Sequence, residues 1–198
     1  RLKIAKPNVE LCKHDHVVFK FNNLKLIFND PRRFGFIDIL NSKKVSNVSY
    51  IKKQVKNVKI IAMIKANAYG HGDVAIARRL QSLNIDYFGV ADFEEGVRLR
   101  RHNITIPIMV MNPGINSISA IIENNLEPVI YNNSIFSKLI EYMEKSKKDI
   151  QDNVRIHIKV NTGMNRWGFN LSDLLPFMKK LASQENITLG SVYTHLAS

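Results

Sequence analysis

Predicted helices alternate with short apolar runs from about residue 46 onward, and this alternation restricts the fold more than any other feature of the sequence. The six predicted strands are 60–64, 87–91, 106–111, 128–131, 154–160 and 189–194. The predicted helices are 46–56, 73–83, 93–102, 115–124, 134–146 and 172–183. Strands that alternate with helices form βα units, and repeated βα units build a parallel sheet. The sequence therefore predicts an α/β fold, either doubly wound or closed as a (β/α)8 barrel.

The residues that follow the strands favour the barrel. Distinctive polar residues follow the predicted strands 60–64, 154–160 and 189–194. Barrel enzymes collect their catalytic groups from the carboxyl ends of several strands, around one central mouth. No Gly-x-Gly-x-x-Gly follows the strand 60–64, so the usual signature of a dinucleotide-binding fold is missing. We therefore expect an incomplete TIM (β/α)8 barrel.

The first 40 residues contain β-rich runs separated by turns. The runs are 16–21, 24–28 and 36–40. Asn22-Asn23 lies between the first two runs, and asparagine tolerates the positive φ angles of a tight hairpin. Asn29-Asp30-Pro31 is a turn signal. We expect a short antiparallel β segment over 1–40, with a basic turn at 32–34 that ends in an aromatic residue.

The positive charge is concentrated in the first third of the chain. The formal net charge is +12; residues 1–59 hold 14 Lys and Arg against 4 Asp and Glu, and residues 60–198 hold 15 against 13. A basic region of this kind indicates a polyanionic partner such as nucleic acid. A lysine-rich surface encoded by an AT-rich genome is the alternative, and charge alone leaves both interpretations open.

Composition excludes several other classes of protein. Hydrophobic residues form 45% of the chain, enough for a buried core. No stretch approaches the roughly 18 apolar residues of a membrane helix, so we expect no membrane partner. Cys12 is the single cysteine; it cannot form a disulfide within the chain, and no Cys/His cluster has zinc spacing. We expect no metal site and, because no leader segment is visible, a cytoplasmic location.

The octapeptide Lys65–Gly72, Lys-Ala-Asn-Ala-Tyr-Gly-His-Gly, follows the first buried strand. A lysine in this position has its stem in an apolar wall and its amine toward the barrel mouth. Partial desolvation lowers the pKa of an ammonium group, which suits Schiff-base chemistry with a carbonyl cofactor. Pyridoxal 5'-phosphate attaches to proteins in this way. For an isolated lysine, a structural salt bridge is the alternative.

The octapeptide resembles the cofactor-lysine motif of bacterial alanine racemases. Three further blocks resemble the same family, so that the resemblance covers about 45–198; they are Asp92–Arg100, His157–Phe169 and Thr194–Ser198. The resemblance implies an isomerase that interconverts L- and D-alanine for peptidoglycan precursors. It also implies a homodimer and pyridoxal phosphate as cofactor.

The resemblance assigns roles to individual residues. Lys65 would hold pyridoxal phosphate as an imine and act as one catalytic base, and Tyr69 would reach the phosphate region. Arg166 would contact the phenolic oxygen of the cofactor and pair with a carbamylated Lys159. His195 would lie against the pyridine ring. We expect the Lys159 side chain in the barrel mouth, within reach of Arg166.

The chain departs from the family pattern in two places. Asn161 stands where the family usually has Asp, which removes one negative charge near Lys159 and Arg166. The family also continues beyond the point that matches Ser198, with two more βα units and a β-rich domain that supplies the second base, a tyrosine, to the partner chain. We therefore expect weak cofactor binding at most, and no racemase activity, from this polypeptide alone.

Two blocks near the start resemble bacterial formamidopyrimidine-DNA glycosylase. They are Lys13–Val17 and Asn29–Gly35. The resemblance implies DNA contacts by His14, Arg32, Arg33 and Phe34, because a basic turn with an aromatic tip can fill the space of a flipped base and grip phosphate. An ordinary β-turn with a surface Arg pair is the alternative. The sequence thus predicts two parts, a glycosylase-like β-hairpin segment over 1–40 and a truncated racemase-type barrel over 45–198.

Overall fold

The computed structural model describes residues 2–13, 15–20, 22–23, 25–29, 47–55, 57–146 and 153–196. The chain divides into two compact units, Arg1–Val45 and Ser46–Ser198. The first unit has a three-stranded sheet and the second a six-stranded sheet. Over the described ranges, no helix has both the length and the hydrophobicity needed to cross a membrane.

The first unit is an antiparallel sheet. Its strands are β1 (Leu2–Ala5), β2 (Asp15–Lys20) and β3 (Lys25–Asn29), in the spatial order β1-β3-β2. β2 and β3 form the hairpin that Asn22-Asn23 predicted. β1, which pairs with β3, was not predicted because four residues are too few to show a clear alternation. The predicted run 36–40 lies outside the described residues.

The second unit alternates strands and helices in the predicted order. Its strands are β4 (Ile61–Met63), β5 (Tyr87–Val90), β6 (Ile108–Val110), β7 (Glu127–Ile130), β8 (Val154–Val160) and β9 (Ile187–Thr194). Its helical segments are α1 (Asn47–Gln54), α2 (Lys65–Tyr69), α3 (Asp73–Ser82), α4 (Phe93–Arg101), α5 (Ile118–Glu123), α6 (Asn133–Lys145) and α7 (Leu171–Ala182). Every predicted helix and strand of this unit is present, and the short segment α2 is an addition.

The strands of the second unit pair in parallel and in chain order, β4-β5-β6-β7-β8-β9. A doubly wound sheet reverses its strand order at a switch point, whereas a barrel adds each new strand beside the previous one. The unreversed order confirms the predicted incomplete TIM (β/α)8 barrel.

Alternate residues of β8 face opposite sides of the sheet. Those that pack against α6 and α7 in one hydrophobic cluster are Val154, Ile156, Ile158 and Val160. A second cluster joins α3 and α4 to β5 and β6. Because side chains alternate along a strand, Arg155, His157 and Lys159 face the other side, which is the barrel interior. The outer face of the sheet is therefore a conventional apolar core, and the inner face carries polar groups.

A β-bulge at Gly190 sets which residues of β9 face the interior. The pairing with β8 shifts by one residue before His157, which lies opposite Ser191, so Gly190 is an extra residue in β9. A Cβ atom on Gly190 would lie 2.7 Å from His157 Cε1, so glycine leaves the space that the imidazole ring occupies. Beyond the bulge, Ser191 and Tyr193 share the interior face with His157 and Lys159.

Candidate active site

The carboxyl ends of β4, β8 and β9 carry the predicted site residues. Lys65 follows β4 after one intervening residue, Ile64; Lys159 is the penultimate residue of β8, and His195 follows β9. Arg166 lies in the loop after β8. In a parallel barrel these ends meet around one mouth, which is the place that the sequence predicted for them.

The α2 segment after Lys65 is a turn of left-handed helix. Ala66, Asn67, Ala68 and Tyr69 have φ angles of 52°, 53°, 50° and 55°. This conformation costs L-residues roughly 1–2 kcal/mol each. Backbone strain of this kind persists only where the surrounding structure over-determines it, and it clusters at functional sites. The strain next to Lys65 therefore marks the segment as one that the rest of the fold holds in place.

Asn67 and Asp73 anchor the end of this turn. The Asn67 Oδ1 atom accepts a hydrogen bond of 3.0 Å from the Asp73 backbone N–H. Asp73 is only 3% exposed, and its Oδ1 atom lies 3.3 Å from the Arg98 guanidinium on α4. The turn is thus tied to the start of α3 and, through Asp73, to α4.

Lys159 is a buried cation beside two other cations. Its side chain is 5% exposed, and it forms no hydrogen bond or ion pair within the described part of the chain. Burial lowers the pKa of Lys159, and the positive charges of Arg166 and Lys65 lower it further. The three side chains therefore act on one another at the barrel mouth, where their combined charge favours an anionic ligand.

The loop that carries Arg166 folds back onto the end of β8. The Phe169 N–H donates to the Lys159 carbonyl at 2.9 Å, and the Asn161 N–H donates to the Phe169 carbonyl at 2.8 Å. Gly168 has a φ of +131°, and a Cβ atom there would lie 2.7 Å from the Asn161 nitrogen. The close return that glycine permits leaves Arg166, which is seven positions from Lys159 in the chain, near enough for its charge to act on that lysine.

Asn161 organises this loop. Its Oδ1 atom accepts hydrogen bonds from the Gly163 N–H at 3.2 Å and the Asn165 N–H at 3.0 Å. Its amide nitrogen donates to Asn165 Oδ1 at 2.8 Å. These hydrogen bonds commit the Asn161 side chain to the turn of the loop that carries Arg166.

A cavity of about 280 Å³ lies beside Arg166, against the same loop. Part of its wall is aromatic: the ring centroids of Tyr131 and Trp167 are 4.9 Å apart. Asparagine side chains supply the polar part, and they belong to Asn132, Asn161 and Asn165. The volume is near the lower end of ligand pockets, about 300 Å³, and it fits a small polar molecule.

Tyr193 is a site residue that the sequence analysis missed. Burial raises its pKa, and the charge of Arg166 opposes that shift. Its hydroxyl donates to the Met111 sulfur at 3.7 Å, and it lies opposite Lys159 in the β8–β9 pairing. The bulge at Gly190 places it there, and nothing in the local sequence of β9 predicts that bulge except the glycine itself.

A layer of polar side chains lies on the interior face one step below Lys159. The His157 Nε2 atom lies 2.7 Å from Glu127 Oε2, and its Nδ1 atom lies 2.8 Å from Ser191 Oγ. The Tyr87 hydroxyl donates to the same Glu127 oxygen at 3.1 Å, and Arg155 donates to that hydroxyl at 3.4 Å. The layer joins β5, β7, β8 and β9, and no pattern in the sequence indicated it.

Of the remaining predicted site residues, two are exposed and four lie outside the described residues. Tyr69 is 60% exposed, and His195 is exposed after the end of β9. Four residues of the alternative DNA site lie outside the described residues: His14, Arg32, Arg33 and Phe34. The structure therefore brings Lys65, Lys159 and Arg166 together and leaves Tyr69 and His195 at the rim.

Comparison with known proteins identifies the family of the barrel unit. The family model described as "Alanine racemase, N-terminal domain" matches residues 42–198. The chain belongs to this family. The match covers the whole barrel unit and excludes nearly all of the first unit.

Individual alanine racemases show the same relationship. The enzyme of Thermodesulfovibrio yellowstonii is 35% identical over 169 residues, which are 83% of this chain and 45% of the relative. The enzyme of Haemophilus influenzae is 36% identical over 137 residues, or 68% of this chain and 36% of the relative. The chain therefore spans less than half the length of the alanine racemases it matches.

Solved structures of alanine racemases share the fold. The alanine racemase of Clostridium difficile 630 has a TM-score of 0.69 and 31% identity, over 76% of this chain and 40% of its own. The alanine racemase of Acinetobacter baumannii has a TM-score of 0.67 and 30% identity, over 77% of this chain and 41% of its own. Fold and sequence thus lead to the same family.

Proposed function

We propose that the chain is the cofactor-holding part of an alanine racemase-type isomerase, which interconverts L- and D-alanine. The convergence of Lys65, Lys159 and Arg166 at the mouth of a racemase-family barrel carries this proposal. Alanine as substrate, a homodimer as assembly and a cytoplasmic location are parts of the same proposal.

The residues at the mouth fit pyridoxal 5'-phosphate. The cofactor is an anion with a phosphate and a phenolic oxygen, and Lys65 and Arg166 present cationic side chains at the mouth. Lys65 is half-buried and its amine has no hydrogen-bond partner among the described residues, so it is available to hold the cofactor. When bound, pyridoxal phosphate withdraws electrons from the substrate and makes its α-proton acidic.

Each side chain has a separate task in the proposal. Lys65 holds the cofactor and removes or returns the α-proton on one face of the substrate, and a base from a partner chain serves the other face. Arg166 is a permanent cation, so it stabilises the phenolic oxygen without giving up a proton. Tyr69 would lie near the phosphate and His195 beside the ring.

The environment of Lys159 supports its carbamylation. Only the neutral amine reacts with carbon dioxide, and the lowered pKa of Lys159 increases the fraction of neutral amine at a given pH. The carbamate is an anion, so it would replace repulsion from Arg166 with a charge-assisted hydrogen bond. Carbamylation would thus remove the electrostatic cost of burying this lysine.

Covalent labelling tests the proposal. The chain is incubated with pyridoxal phosphate, reduced with borohydride and digested, and the modified lysines are identified by mass spectrometry. We expect the label on Lys65 and its loss in Lys65→Ala. Lys179→Ala, which removes an exposed lysine of α7, is the matched control and should leave the labelling of Lys65 unchanged. Equal labelling of many surface lysines, with no preference for Lys65, would overturn the proposal.

The comparisons do not support DNA binding by the first 40 residues, because the family match begins at residue 42. It stays a prediction that rests on His14 and on the turn at 32–34. Duplex binding measured by fluorescence anisotropy, with Arg33→Ala as the variant and a salt titration, tests it; salt should weaken a contact to phosphates steeply.

A further inference from the structure

Glu95 lies at the amino end of α4, between the ends of two neighbouring strands. The Asp92 Oδ1 atom accepts a hydrogen bond of 3.2 Å from the Glu95 N–H and so begins the helix. In an ordinary capping box, a glutamate in this position accepts the N–H of the capping residue itself. The Glu95 carboxylate instead accepts hydrogen bonds from two other backbone N–H groups.

The Glu95 carboxylate bridges the backbone after β4 and the backbone after β5. Its Oε1 atom accepts the Ala66 N–H at 2.6 Å, and its Oε2 atom accepts the Ala91 N–H at 2.7 Å. Hydrogen bonds to an ionised carboxylate are stronger than those between neutral groups. One side chain therefore ties the residue after Lys65 to the adjacent strand end.

Ala66 is also the first residue of the strained left-handed turn. Its φ is 52°, and the next three residues have similar values. An alanine released from its contacts would return to the right-handed or extended region, and Lys65 would move with it. A contact at the Ala66 N–H acts at the point where the strain begins, one peptide bond from the lysine.

We propose that Glu95 is a positioning residue for Lys65. Its carboxylate holds the Ala66 peptide in the left-handed conformation and so fixes the direction in which the Lys65 side chain leaves the backbone. The proposal deepens the proposed function, on which its relevance to the cofactor rests. Among the residues that the structure describes, the hydrogen bonds of the Glu95 carboxylate are to backbone amides, so Glu95 acts through Lys65.

Amide hydrogen exchange, measured by NMR without any cofactor, tests the hold on the turn. Glu95→Gln keeps the size of the side chain but replaces one acceptor oxygen with an NH2 group. We expect exchange at Ala66 or Ala91 to accelerate about tenfold or more. Glu94→Gln makes the same chemical change at an exposed neighbour and should leave both amides unchanged. Unchanged exchange at both amides in Glu95→Gln would overturn the proposal.

A second variant separates positioning from a general structural role. Glycine adopts positive φ freely, so in an Ala66→Gly background the turn needs less support. We expect Glu95→Gln to slow the pyridoxal phosphate–borohydride labelling of Lys65 about tenfold in the parent chain and by less than about twofold in the Ala66→Gly chain. Equal slowing in both backgrounds would show a structural role of α4 and would overturn positioning.

The two proposals fail in different ways. If the parent chain is not labelled at Lys65, the proposed function fails, while the exchange at Ala66 and Ala91 still decides whether Glu95 holds the turn. If labelling occurs and Glu95→Gln leaves its rate unchanged, positioning by Glu95 fails and the proposed function stands. Circular dichroism spectra establish that each variant is folded, and Glu95→Asp, which shortens the same carboxylate, serves if Glu95→Gln unfolds.

Discussion

The protonation of Lys159 makes the stability of the fold depend on pH. A buried ammonium beside Arg166 and Lys65 is disfavoured, so the pKa of Lys159 is lower in the folded chain than its ordinary value of 10.5. The unfolded chain therefore binds more protons than the folded chain between these two pKa values, and stability rises with pH across that interval. Below the folded-state pKa the charge destabilises the fold in full.

Lys159→Met tests this reasoning, because it removes the charge and keeps most of the volume. We expect the variant to have a higher free energy of unfolding than the uncarbamylated parent at neutral pH. The difference should shrink as the pH rises toward 10.5, where the parent lysine becomes neutral as well. Urea unfolding over a pH series, in buffers free of carbon dioxide, measures it. Lys179→Met is the exposed control; a pH-independent difference for Lys159→Met would contradict the prediction.

The loop 161–168 folds back onto the end of β8 and carries Arg166 to the barrel mouth. Its return to β8 depends on Gly168, where a Cβ atom would meet the Asn161 nitrogen at 2.7 Å and the Val160 carbonyl carbon at 2.8 Å. Both atoms belong to the backbone, so neither can move aside cheaply. The loop therefore has little freedom to accept a larger residue.

Gly168→Ala should lower the free energy of unfolding by about 1–3 kcal/mol, because it adds both a clash and a residue with φ of +131°. We also expect slower labelling of Lys65 by pyridoxal phosphate, since the Arg166 loop would shift. Gly114→Ala is the matched control: its Cβ atom would meet Ser117 Oγ at 3.7 Å, an ordinary contact. Equal urea midpoints for the two variants would show that the loop is not tightly held.

The polar layer inside the barrel acts on the scale of the whole unit. Glu127, His157 and Ser191 come from three strands, and the Tyr87 ring packs edge-on against the His157 ring with centroids 5.7 Å apart. Replacing one member removes a hydrogen-bond partner from each of its neighbours, and a buried polar group that is left without a partner costs about 1–3 kcal/mol. The members should therefore depend on one another.

His157→Leu alone should lower the free energy of unfolding by about 1–3 kcal/mol. His157→Leu combined with Glu127→Leu should cost less than the sum of the two single changes, by at least about 0.5 kcal/mol, because the carboxylate that loses its partner is gone as well. Urea denaturation of the parent chain and of these three variants gives the four free energies of unfolding that this double-mutant cycle needs. His102→Leu, at an exposed histidine on α4's end, should change stability by no more than about 0.5 kcal/mol. Strict additivity would mean that the layer is not one network.

The sequence by itself determined the order and type of the elements in the barrel unit. Apolar runs such as 60–64 and helical periodicity are local properties, and each segment shows them wherever it lies in space. The octapeptide at Lys65 and the block around Arg166 likewise identified the family, because their residues are adjacent in the chain. The strict chain order of the six strands was predicted only through the polar residues at the strand ends, because a doubly wound sheet shows the same alternation.

The tertiary structure alone decided which side chains meet. Glu95 reads as a helix-capping residue, yet its carboxylate bridges Ala66 and Ala91, which lie 29 and 4 residues away. Tyr193 faces Lys159 because the bulge at Gly190 shifts the alternation of β9, and that shift depends on the space that the neighbouring strand leaves. Periodicity cannot predict such contacts, since each depends on a hydrogen bond or a close approach between segments that only the folded barrel brings together.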